Sequence, residues 1–129
     1  MIVRGILNPD LNSLLSRVRH TNTLVICDRG FPFWPQIETI DLSLVDDVPT
    51  VLQVLEAVRL NFQIGAAYMA REFEAENNRD TVQNFEHALR GITLTREPHD
   101  DFKKRVPCAI GLIRTGDTTQ YANMILVSA

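Results

Sequence analysis

The chain has 129 residues, 13 Lys+Arg against 16 Asp+Glu, a formal charge of −3, two cysteines and 45% hydrophobic residues. That length suits one domain over residues 1–129, because a split would leave two undersized cores. The charge excludes a general nucleic-acid binder, no segment approaches membrane-spanning length, and two cysteines cannot build a disulfide scaffold. With no apolar leader in Met1-Ile2-Val3-Arg4-Gly5, these features predict a soluble protein with reduced thiols in the cytoplasm.

In chain order, Asn8 is a good N-cap with Pro9 at the first helical position, and Leu11, Leu14, Leu15 and Val18 recur at helical spacing. Thr23 to Cys27 reads as a short buried strand, followed by a proline-rich irregular segment from Phe31 to Pro35. Ile37 to Leu44 predicts a second strand. Pro49 is expected to open a helix with the stripe Val51, Leu52, Leu55, Val58 and Phe62. Gln63 to Ala75 suits either a helix, by its alanines, or a buried strand. Arg79 to Arg90 predicts a helix closed by Gly91, and Ile92 to Thr95 a strand. A short helix over His99 to Val106 precedes strands at Ala109–Arg114 and Met124–Val127. Interleaved strands and helices predict an α/β fold of three layers around a mostly parallel sheet.

In open α/β sheets ligands gather beyond the strand ends, which selects His20, Asp28, His99, Tyr121 and Asn123. Each also has an ordinary structural reading. His20 at a helix terminus complements the dipole; Asp28 before Arg29-Gly30 forms an Asx turn; His99-Asp100-Asp101 looks like a helix start. Tyr121 and Asn123 pass as turn and strand-edge residues, His87 as part of a solvated face, and Trp34 as a lid, a sugar-stacking surface or a subunit contact. Glycine-rich phosphate loops and zinc spacings are missing, so no metal or nucleotide site is expected. Cys27 should point away from any cleft that Asp28 faces, because neighbours in a strand alternate.

The segments Gly5 to Asn8, His20 to Pro32, Val48 to Leu55 and Tyr121 to Leu126 closely resemble the RbsD/FucU family of D-ribose pyranases and L-fucose mutarotases. His-Thr-Asn-Thr-Leu-Val and Tyr-Ala-Asn are similar to the ribose branch; the fucose branch more often has glycine where Thr21 and Ala122 stand. Arg29 and Phe33-Trp34 depart from the small or aliphatic residues usual there. The resemblance implies a three-layer α/β/α fold with a mixed sheet, a strand over Gln63 to Ala70, and no cofactor. It also implies ring-shaped homo-oligomers, commonly decamers, with active sites between subunits. By the same resemblance the catalytic histidine is His20, and Asp28, His99, Tyr121, Ala122 and Asn123 bind a monosaccharide, D-ribose. The implied reaction opens one hemiacetal and closes another, converting pyranose to furanose, which histidine can serve near neutral pH. An L-fucose-type mutarotase and a non-catalytic sugar-binding accessory of a transport system are the competing expectations.

Overall fold

The computed structural model describes all 129 residues. Helix α1 (Pro9–Arg17) leads into β1 (Thr23–Cys27) and β2 (Glu38–Asp41). After α2 (Val51–Arg59) come β3 (Ile64–Ala70), α3 (Glu72–Glu76), α4 (Arg79–Ala88) and β4 (Thr93–Glu97). Helix α5 (His99–Arg105) runs into a 3-10 turn at Val106–Cys108, and β5 (Gly111–Arg114) and β6 (Met124–Ser128) complete the sheet.

Local chemistry sets the helix starts. The Asn8 side chain accepts the Leu11 N–H at 2.9 Å, as expected with Pro9 behind it. Helix α2 starts at Val51, two residues later than the proline suggested. Thr50 is its N-cap and forms a capping box with Gln53, which satisfies two otherwise orphaned N–H groups. Phe62 lies beyond this helix, which ends at Arg59. The ambiguous stretch resolves into β3, the strand implied by the family resemblance, followed by the short helix α3, which was not anticipated. Insertion between β4 and β6 overrides the helical preference of its alanines.

The six strands run in the order β2-β5-β1-β6-β3-β4. β1, β2 and β5 are mutually parallel, as are β3 and β4, while β6 runs antiparallel to both β1 and β3. The sheet is therefore mixed, as expected. Strand alternation divides the core between its two faces. Leu24 and Ile26 of β1 join α1, α2 and α4 residues in one cluster that includes Leu14, Val54, Leu55 and Phe85. Val25 and Cys27 face the other way, into a smaller cluster with Phe31, Phe102, Val106 and Ile125. Cys27 is fully buried there, and burial pushes its thiol pKa up to about 12. It is a structural thiol.

The loop after β5 is locked to the loop after β2. The Gly116 N–H donates to the Pro49 carbonyl at 3.0 Å, and its own carbonyl accepts the Asp47 N–H at 2.6 Å. A β-carbon on Gly116 would lie 2.2 Å from the Val45 carbonyl oxygen, so only glycine allows this approach. Gly116→Ala is therefore expected to lower stability by about 1–3 kcal/mol. Urea unfolding checks this, and an unchanged midpoint would show that the two loops move apart freely.

Candidate active site

Parallel pairing brings the carboxyl ends of β1, β2 and β5 to one edge of the sheet, with Cys27 and Asp41 both opposite Arg114. The ends of β3 and β4 reach the same edge through the pairing of β3 with β6. β6 begins where the others end. Asp28, His99, Tyr121 and Asn123 therefore converge, and they line a cleft of about 370 Å³. A cavity of that size suits a small ligand. The remaining wall comes from Arg29, Gly30, Phe31, Pro32 and the loop from Asp117 to Gln120.

Each polar group has a local reason for its position. The Asp28 N–H donates to Asn123 Oδ1 at 2.8 Å, which orients the buried amide and leaves its NH₂ as the donor end. Asp28 Oδ1 accepts the Gly30 N–H at 2.9 Å, the Asx turn anticipated from sequence. Burial raises the Asp28 carboxyl above its ordinary range, against hydrogen bonds from Gly30, Asn123 and Phe31 that pull it down. His99 opens α5, with its N–H held by both carboxylate oxygens of Glu72 at 2.9 and 3.3 Å. Burial and Lys103 lower its pKa, against Glu72, Asp100 and Asp28. Tyr121 sits at φ +55°, a left-handed conformation that non-glycine residues rarely adopt, and its ring meets the His99 ring edge-on at 5.1 Å.

The sequence reading missed the residue that shapes the cleft floor. Asp117 is 3% exposed and its carboxylate is spoken for: Oδ2 accepts the Val51 N–H at the start of α2, and Oδ1 accepts the Thr119 N–H, both at 2.8 Å. Its carbonyl also accepts the Arg29 N–H at 3.1 Å. Beside it, Asp47 accepts the N–H and hydroxyl of Thr118, and these bonds hold its carboxyl below the usual range. In sequence, Gly116-Asp117 signals only a turn.

Two expected site residues lie elsewhere. Ala122 is fully buried in the larger core cluster, so its side chain is not on the cleft wall. His20 is exposed and precedes β1, whereas Asp28 follows it. The strand between them has five residues, and at ~3.3 Å per residue it alone spans about 16 Å. The His20 turn is tied instead to the far end of β6 by the Thr21 N–H donating to the Ser128 carbonyl at 3.0 Å. Thr21 itself is at φ +68°, an unusual conformation for a β-branched residue. Trp34 does not line the cleft; it backs Phe31, with ring centroids 6.2 Å apart.

The whole chain, residues 1–129, matches the model of the RbsD / FucU transport protein family. It is 41% identical to the D-ribose pyranase of Geobacillus kaustophilus over 96% of this chain and 90% of that one. It is 36% identical to the D-ribose pyranase of Citrobacter koseri over 95% and 93%. Bacillus subtilis RbsD complexed with D-ribose superimposes with a TM-score of 0.92 at 30% identity, covering 100% of this chain and 98% of that one. The Streptococcus pneumoniae fucose mutarotase shares the fold at a TM-score of 0.77 and 20% identity, over 95% and 93% of the two chains.

The direction of the Asp28 shift fixes a pH dependence. Because its folded pKa is raised, the ionised carboxylate costs stability above that value, and the cost vanishes below the unfolded pKa of ~3.9. Asp28→Asn should melt at a higher temperature than the parent at neutral pH, with the gain disappearing in acid. Melting curves at both pH values check this; an equal gain at both would refute it.

Proposed function

Because the chain belongs to the RbsD / FucU family, we propose that it is an isomerase that interconverts the pyranose and furanose forms of D-ribose. The observation that carries this reading is the convergence of Asp28, His99, Tyr121 and Asn123 on one small cleft. The relatives named D-ribose pyranase, and the likeness to a ribose-bound structure, supply the sugar. Ring opening needs a base to take the anomeric hydroxyl proton and an acid to protonate the ring oxygen as the C1–O bond breaks. After rotation of the open-chain aldehyde, a different hydroxyl attacks and the protons return. Asp28 grips a hydroxyl, and His99, Tyr121 and Asn123 orient the rest by directional hydrogen bonds.

His20 is the proton-transfer group in this reading, delivered by a neighbouring copy. Its position at the opposite end of β1 from Asp28 supports that arrangement, since a single chain cannot place both on one sugar. Leu44 and Val45, 77% and 62% exposed on the loop that packs against Gly116, supply apolar surface for such an interface. The active unit is then a closed homo-oligomer, with a decamer as the expected size. Unpaired Cys27 and Cys108 suit a cytoplasmic setting, and no helix is long and apolar enough to cross a membrane.

Saturation-transfer NMR on ribose tests the reaction. The protein should speed exchange between pyranose and furanose resonances; unchanged exchange sinks the isomerase reading, and faster exchange on fucose than ribose moves the substrate to the other branch. Mixing tests the shared site. His20→Ala and Asp28→Ala proteins, each inactive, should regain about a quarter of parental activity when unfolded and reassembled together, since random pairing leaves some clefts with both groups intact. No recovery in correctly assembled mixtures would place both groups in one chain's site.

A further inference from the structure

His99 differs from an ordinary cleft histidine in how its ring is held. No side-chain hydrogen bond orients it; aromatic rings do. Phe102 stacks on it at 6.0 Å and 13°, while Phe31 and Tyr121 meet it edge-on at 6.2 Å and 77° and at 5.1 Å and 81°. Phe31 is 4% exposed and is itself braced edge-on by Phe102 at 6.1 Å and at a tilt by Trp34. Inside this cage Nδ1 is buried without a hydrogen-bond partner. A buried donor with no acceptor is rarer than an under-used acceptor, so the ring proton belongs on Nε2, the nitrogen left to the cleft.

We infer that Phe31 is a positioning residue, which with Phe102 and Tyr121 fixes His99 as the neutral Nε2–H tautomer, a stationary hydrogen-bond donor to the sugar. This rests on the cleft being the sugar site. It assigns the two histidines different work: His99 donates to a substrate oxygen without changing charge, and proton transfer falls to His20. The charged neighbours do not undo this. Glu72 of α3, Asp28 after β1 and Asp100 of α5 favour the imidazolium, but burial and Lys103 of α5 outweigh them. The position of His99 in the first turn of α5 also disfavours a positive charge.

The test is nitrogen NMR of the imidazole rings in the assembled full-length protein from about pH 5.5 to 8, across the range where free histidine titrates. Only three histidines, His20, His87 and His99, contribute, and His99→Gln identifies the third signal. The expected His99 signature is one protonated and one bare nitrogen, unchanged through most of that range. In Phe31→Ala the tautomers should mix, the titration midpoint should rise toward ~6.5, and kcat should fall about 10- to 100-fold with a much smaller change in KM. Phe31→Leu, which refills the wall without a ring edge and is the safer variant to fold, should lie between. Mixed tautomers in the parent, or an unmoved midpoint in either folded variant, overturns the inference. The tautomer readout needs no turnover, so a parent protein silent in ribose exchange removes the isomerase reading while the His99 signature still judges the positioning.

Discussion

The cleft depends on one strand running against its neighbours. β6 lies between β1 and β3, antiparallel to both, while those two run the same way. In a purely parallel sheet the segment before a strand emerges at the opposite edge from the segments after its neighbours. Reversing β6 brings its leading residues, Tyr121 to Asn123, to the edge where β1 and β4 release Asp28 and His99. The hydrogen bond from the Asp28 N–H to Asn123 Oδ1 closes that seam across 95 positions of sequence. The convergence of these residues thus follows from the strand order and directions.

Two aspartates near this edge, Asp117 buried and Asp28 half-buried, show how environment divides labour among identical side chains. Asp117 is surrounded by N–H donors and serves as a capping anion at the start of α2, where the helix dipole favours it. At Asp28 burial outweighs the donors from Gly30, Asn123 and Phe31, so its carboxylate is held at the expense of stability. Such a trade of stability against readiness is common at functional sites.

Much of this was legible from residues alone where the signal was local. Asn8-Pro9, the apolar run of β1 and the alternation that buries Cys27 all concern neighbours in sequence. The strand-end rule selected Asp28, His99, Tyr121 and Asn123. The same rule could not separate His20 from them, because a strand has two ends and only pairing partners reveal which end faces the cleft. Asp117 stayed hidden for a related reason: the bond that defines it, from Val51, spans 66 residues. The alanines of β3 pointed toward helix, and only tertiary pairing with β4 and β6 decides against it.

The loop from Thr115 to Gln120 also separates holding from reading. Its backbone is pinned from behind by Asp117, Asp47 and the Asn77 side chain, which donates to the Gln120 carbonyl at 2.8 Å. Thr119 and Gln120 both line the cleft, and their side chains take no part in those bonds. These two positions are therefore open to drift: a lineage can alter the polar groups presented there without unsettling the scaffold that presents them. The same sheet edge can then serve ligands of different shape through changes at a few unencumbered positions.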